Sequence, residues 1–200
     1  MSRDLVLASG NKGKLAELQQ LLSDSGFKLI SQAELGVEDA IEDGLSFVEN
    51  ALIKARHAAR VTGKAAIADD SGLCVDALQG APGIHSARFA GEHGNDAKNN
   101  ALLLEKLKGV ETDQRGARFV CVLAMVRHAD DPLPLICEGH WQGRILEQPR
   151  GDQGFGYDPM FFCPQQGMSS AELDRDIKNR ISHRAKALQA LLQKLPDFPA

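Results

Sequence analysis

The feature that most limits what this chain can fold into is the run Ala65-Ala66-Ile67-Ala68, which ends at Asp69-Asp70-Ser71-Gly72. The run is short, uniformly apolar and bounded by a glycine at residue 63, so it reads as a strand buried in a sheet. The acidic stretch is expected to break that strand, with extended structure resuming at Leu73-Cys74-Val75. Two carboxylates at the end of an apolar strand are costly unless something neutralises them. Strand side chains alternate, so one aspartate is expected to face a site and the other the opposite side. Magnesium takes hard oxygen ligands, commonly one or two carboxylates plus phosphate oxygens. The alternative is a turn in which one aspartate bonds nearby amides.

The flanking segments make the sheet part of an α/β fold. Leu5-Val6-Leu7-Ala8 is a short apolar strand that ends in Ser9-Gly10-Asn11-Lys12-Gly13-Lys14, after which Leu15, Leu18 and Leu22 recur at helical spacing up to Gly26. Lys28 to Ile30 suits a second strand. Ser46 and Glu49 have capping-box spacing and open a helix through Ala51, Leu52, Ala55, Ala58 and Ala59 to Gly63. Residues 81–95, rich in Gly and Pro, read as an ordered loop, and Asn95 caps a helix through Leu107. Arg118–Val126 and Leu133–Trp141, separated by Asp130-Asp131-Pro132, predict a long antiparallel hairpin. One final helix is expected to carry Ile177, Ile181, Ala185, Leu188 and Leu192. The expected architecture is α/β with a mixed sheet, and no linker or repeat interrupts residues 1–200.

Charge and cysteine usage exclude several functions. The formal net charge is -4 with no basic stretch, which argues against a nucleic-acid-coating surface. Cys74, Cys121, Cys137 and Cys163 form no C-x-x-C pair, so neither zinc binding nor redox chemistry is suggested. Met1-Ser2-Arg3-Asp4 leads into a strand rather than a signal-peptide core. No stretch reaches the ~18 apolar residues that span a bilayer, so no membrane association is expected and the cytoplasm is the default compartment.

Several other segments carry chemistry. Glycines at 10 and 13 in a strand-to-helix turn let the backbone approach a phosphate, and Lys14 adds counter-charge. An ordinary capped turn with solvated lysines is the other reading, and Leu15 after Lys14 rules out a Walker A loop. Glu38, Asp39, Glu42 and Asp43 form an acidic cluster of the kind usually found solvated. Glu49 is explained by the capping box, and Lys54 either pairs with it or faces phosphates. Phe155 and Tyr157, set among glycines in Gly154-Phe155-Gly156-Tyr157-Asp158-Pro159, suit either base stacking or the core beneath a turn. Lys178, Ser182, His183 and Arg184 give a donor-rich helix face that either reads a base carbonyl or is solvated.

Taken in order, these segments resemble the inosine triphosphate pyrophosphatase family. The matching stretches are Leu7-Ala8-Ser9-Gly10-Asn11 with Lys14, Phe47-Val48-Glu49-Asn50-Ala51 with Lys54, and Ala68-Asp69-Asp70-Ser71-Gly72-Leu73. They continue with Gly80-Ala81-Pro82-Gly83-Ile84, Ser86-Ala87-Arg88, Gly154-Phe155-Gly156-Tyr157-Asp158-Pro159 and Ser182-His183-Arg184. The resemblance implies a single domain over residues 1–200, with a long curved mixed sheet flanked by helices and two lobes enclosing an active-site cleft. It implies hydrolysis of dITP, ITP, XTP or dXTP to the monophosphate and pyrophosphate, with magnesium as cofactor and a homodimer as the working form.

Residue roles follow from the same resemblance. Ser9, Asn11 and Lys14 match the triphosphate-holding segment, in which Gly10 and Gly13 lie. Glu42 falls where the family has a metal-binding acid. Asp70 matches the catalytic acid that holds magnesium and helps activate water, supported by Asp69, Lys54 and Ser71. Phe155 matches the ring that stacks on the base; Gly156 and Tyr157 belong to the same motif. Asp158, Lys178, Ser182, His183 and Arg184 match the readers of the base edge. Donors of this kind accept a 6-oxo purine and oppose adenine's amino group. The alternatives are a Maf-type pyrophosphatase of modified pyrimidine nucleotides and a non-catalytic nucleotide-binding regulator.

Overall fold

The structure, a computed structural model, describes residues 3–9, 18, 19, 22 and 26–195. Its strands are β1 (Arg3–Leu7), β2 (Phe27–Ser31), β3 (Ala65–Val75), β4 (Gly116–Val126), β5 (Leu135–Ile145), β6 (Phe161–Cys163) and β7 (Met168–Ser169). They form one mixed sheet in the order β2-β1-β3-β4-β5-β6-β7. β1 runs parallel to β2, with Leu5 opposite Leu29, and parallel to β3, with Leu7 opposite Ile67. The β5–β6 and β6–β7 pairs are antiparallel. β4 and β5 are neighbours joined by residues 127–134, a loop shorter than the dozen or so residues a parallel crossover needs. The expected hairpin is therefore present, and both its strands run longer than the sequence suggested.

Among the described residues the helices with defined bounds are α1 (Phe47–Thr62), α2 (Asp96–Lys106), α3 (Arg175–Ile181) and α4 (His183–Lys194); the helix expected through Leu15, Leu18 and Leu22 lies largely outside the described residues. Their starts follow their sequence signals. At α1 the Ser46 hydroxyl accepts from the Glu49 amide at 3.4 Å and donates to Glu49 Oε2 at 2.7 Å, and Leu45 N–H donates to the same oxygen at 2.9 Å. This is the reciprocal bonding of a capping box. Gly63 closes the helix in the left-handed region (φ 65°), its N–H donating to Ala59 O. Asn95 caps α2 by accepting from Lys98 N.

Two compact units make up the chain. The first comprises Met1–Asp70, Cys121–Gly139 and Lys186–Ala200; the second comprises Ser71–Val120 and His140–Ala185. The core of the first holds Leu5, Leu7, Leu18, Leu22, Ile67, Leu123, Met125, Leu188 and Leu191. That of the second is aromatic: the Phe119 ring lies 4.6 Å from Phe161, and Trp141 lies 5.0 Å from Phe161. Cys121, Cys137 and Cys163 are buried and joined in no disulfide, as apolar runs suggest. Among the described residues no helix is long and apolar enough to cross a membrane.

Two expectations need correction. β3 is not broken at Asp69-Asp70-Ser71 but continues as one strand from Ala65 to Val75. A lysine from α1 partly neutralises the acidic pair, so local polarity does not end the strand. The last helix is not single. Ser182 leaves helical geometry (φ −66°, ψ 163°), its N–H closing α3 on Lys178 O while its hydroxyl accepts from Ala185 N at 3.3 Å to start α4. A serine that caps in this way competes with continuation of the helix.

In the loop between β4 and β5, Asp131 is fully buried. It accepts at 2.9 Å from Arg127 N, Arg127 Nε and Leu133 N, and also from Arg127 Nη2. The Arg127 hydrogen bond above all holds its carboxyl well below the usual carboxylate range, against burial. Asp131→Ala strands these donors and is expected to destabilise the protein by about 3 kcal/mol. On that figure Tm falls by roughly 6–12 °C. Because the native pKa is depressed, the stabilisation is present above the unfolded value near ~3.9 and is lost as pH falls through the native one. Calorimetry at pH 7 and pH 3 should find the gap between wild type and variant narrowing on the acid side.

Candidate functional site

In the first unit the site is built where β3 and α1 bring opposite charges together. Asp70 is 8 % exposed and Asp69 2 % exposed. Lys54, a turn beyond Asn50 on α1, reaches Asp70 Oδ1 at 2.9 Å and Glu42 Oε2 at 3.1 Å. Lys54 thus pairs with Asp70 and Glu42, while Glu49 is committed to the helix cap. Glu42 is thereby picked out of an acidic cluster whose four members, Glu42 included, are all exposed.

The electrostatics of this group follow from its burial. Burial opposes the Lys54 ammonium, but the charge and hydrogen bond of Asp70, with Asp69 and Glu42 behind it, hold the lysine pKa above its ordinary value. At Asp70 burial dominates and holds the carboxyl above its ordinary value, opposed by Lys54 and reinforced by Glu42 and Asp69. Asp70 Oδ2 is buried and has no hydrogen-bond partner among the described residues.

That orphaned oxygen bears on whether the site suits a divalent cation. Among the described residues no group of three or more His, Cys, Asp or Glu is placed to hold a metal. Magnesium does not require such a cage, since one or two carboxylates with waters and substrate phosphates is its common set. Asp70 Oδ2, with Glu42 across the shared lysine, therefore fits it. Ser9 is described and half-buried. Gly10, Asn11, Lys12, Gly13 and Lys14, expected at the triphosphate, lie outside the described residues.

The second unit gathers a different group. Phe155 is 65 % exposed, whereas Tyr157 is 5 % exposed, so the two aromatics that the sequence left open are separated. The Tyr157 hydroxyl donates to Ser86 O at 2.8 Å, and burial, with the Asp96 charge, pushes its phenol up so that it stays a neutral donor. Asp158, 3 % exposed, accepts from Phe155 N at 2.9 Å, from Ser170 Oγ at 2.7 Å and from Lys178 Nζ at 2.5 Å. Lys178 Nζ lies 5.6 Å from the centroid of the Phe155 ring, within cation–π range. Gly154 is required here: a Cβ would stand 2.1 Å from Asp158 Oδ2.

The remaining sequence-derived residues are placed as follows. Ser182 occupies the break between α3 and α4, His183 stacks on Phe119 with ring centroids 4.9 Å apart, and Arg184 follows on α4. Ser71 lies on β3 just past Asp70. Gly156 N–H and C=O are taken by Asp96 and Asn100. Ser170, Asp96, Asn100 and Ser86 were not singled out for roles of their own, because their partners lie far along the chain and no local pattern marks them.

A model of the Ham1 family matches residues 5–194. A protein of Shigella flexneri named dITP/XTP pyrophosphatase is 59% identical over 191 residues, covering 96% of this chain and 97% of that protein. The solved structure of a HAM1 protein from Coxiella burnetii aligns with a TM-score of 0.94 at 49% identity, over 99% of this chain and 100% of the other. A nucleoside-triphosphatase / dITP/XTP pyrophosphatase from Mycobacterium abscessus aligns at 0.81 and 46% identity, over 94% and 98%.

Proposed function

The chain belongs to the Ham1 family, and from that premise we propose that it hydrolyses deaminated purine nucleoside triphosphates, dITP, ITP and XTP, to the monophosphate and pyrophosphate. The chemistry rests above all on Asp70, a buried carboxylate with one oxygen on Lys54 and the other without a hydrogen-bond partner among the described residues. The base class rests on the near-full-length identity to a protein named for dITP and XTP.

In this reading Asp70 and Glu42 would hold magnesium, which when bound would neutralise charge on the phosphates. Asp70 orients the attacking water, and Lys54 holds the carboxylate in place while adding positive charge beside the developing leaving group. Phe155 offers its exposed ring to the base. Lys178 keeps two donors beyond the one given to Asp158, and these suit a 6-oxo group and oppose a 6-amino group. Ser182, His183 and Arg184 complete the base-reading set, and Asn11 and Lys14 the phosphate-holding one. The working form is a cytoplasmic homodimer.

A panel of ITP, dITP, XTP, ATP and GTP, assayed for pyrophosphate release with magnesium, tests the proposal. Release is expected from the first three, with kcat/KM at least about a hundredfold above that for ATP and GTP. Chelation with EDTA is expected to abolish turnover, and excess magnesium to restore it. Release of single phosphate, or equal rates across the panel, would sink the reading.

A further inference from the structure

The loop that displays Phe155 is gripped from outside by α2. Asp96 Oδ2 accepts the Gly156 N–H at 2.7 Å, and Asn100 Nδ2 donates to the Gly156 carbonyl at 2.8 Å. Both backbone polar groups of one residue are therefore fixed by two side chains a single helical turn apart. Gly156 sits in the left-handed region (φ 63°). Glycine has little conformational preference of its own, so its neighbours select the geometry. Gly156 follows directly on Phe155, so fixing its peptide groups restricts the backbone from which that ring projects.

We propose that Asp96 and Asn100 are positioning residues for nucleotide recognition, fixing the Gly156 backbone and through it the direction in which Phe155 presents its ring. The proposal rests on the reading of Phe155 as the stacking surface for the base. A ring left 65 % exposed has little packing to orient it beyond the Lys178 ammonium 5.6 Å from its centroid, so the position of the backbone that carries it matters the more. Asp158 supplies one anchor, at Phe155 N–H; Asp96 and Asn100 supply two more on the next residue. The same helix reaches the loop by a second route. Asn99 Nδ2 donates to Ser86 O and Ala87 O, and Ser86 O also receives the Tyr157 hydroxyl. The Asn100 Oδ1 atom is buried without a partner among the described residues. Leaving an acceptor unsatisfied is unfavourable, so an apolar residue would serve simple packing better; the amide is explained by its bond to Gly156.

Asp96→Ala and Asn100→Ala, assayed with ITP and magnesium, are each expected to raise KM about five- to tenfold, more than kcat falls. Asp96→Asn retains an acceptor for the Gly156 N–H and is expected to return KM close to wild type. The decisive readout is a double-mutant cycle with Phe155→Ala. If the clamp acts through the ring, adding Asn100→Ala to Phe155→Ala changes KM by less than about twofold. Asp96 is exposed, so its variant is expected to fold and to keep the test available if Asn100→Ala does not. Full additivity in the cycle, or unchanged KM in the Asp96 and Asn100 variants while Phe155→Ala raises it, would overturn the clamp and leave the stacking reading intact. Unchanged KM in Phe155→Ala itself would overturn both.

Discussion

Asp70→Asn is expected to lower kcat for ITP by about a thousandfold or more while nucleotide binding persists. The substitution keeps the shape of the side chain and an oxygen that still accepts from Lys54. On the proposed reading it removes the negative charge that would hold a cation and orient the attacking water. Loss of an interaction made mainly in the transition state lowers kcat rather than raising KM. Equilibrium binding of ITP to the variant, measured by calorimetry, separates the two. Turnover above about a tenth of wild type would show that Asp70 is not the key acid.

The same variant makes a thermodynamic prediction of opposite sign. Burial holds the Asp70 carboxyl above its ordinary pKa, so the native state binds its proton more tightly than the unfolded state does. Stability contributed by the protonated form is complete below the unfolded value and falls as pH rises through the native one. At neutral pH the charged carboxylate is therefore a destabilising presence, partly offset by Lys54. Without added magnesium, Asp70→Asn is expected to melt at or above the wild-type temperature. An inactive variant that is no less stable is the mark of a residue kept for chemistry.

The sequence was most informative where a structural signal is local. The Ser46–Glu49 box, the Gly63 stop and the Asn95 cap each act within a few residues, and each lies where the pattern put it. It was least informative where a distant partner decides. Asp69-Asp70 looked like a strand end because nothing nearby offsets two carboxylates, but Lys54 reaches Asp70 from 16 residues away. The break at Ser182 was hidden for a different reason. Ile177, Ile181, Ala185 and Leu188 keep helical spacing across it, and a one-residue departure leaves that period intact. Ser170 reaches Asp158 across 12 residues, and Asp96 reaches Gly156 across 60. Phe155 and Tyr157 have equivalent local settings, and only the fold exposes one and buries the other.

Asp158→Ala is expected to damage both stability and nucleotide affinity. Its buried carboxylate joins three elements: the loop through Phe155 N, the segment after β7 through Ser170 Oγ, and α3 through Lys178 Nζ. Truncation leaves Lys178, 22 % exposed at its side chain, without its counter-charge and frees the Phe155 amide. Removing one partner of such a pair is expected to cost about 3 kcal/mol, a Tm loss of roughly 6–12 °C. Losing the orientation of a stacking ring should raise KM for ITP by about ten- to a hundredfold. Asp158→Asn divides the two effects. Its carbonyl still accepts the Phe155 N–H, and the Ser170 hydroxyl can turn to accept from the amide, so most of the Tm is expected to return. Lys178 nevertheless lacks a negative partner and is free to leave the ring, so KM should stay above wild type. Wild-type KM in Asp158→Ala, with the Tm loss present, would make Asp158 a structural brace and remove it from base recognition.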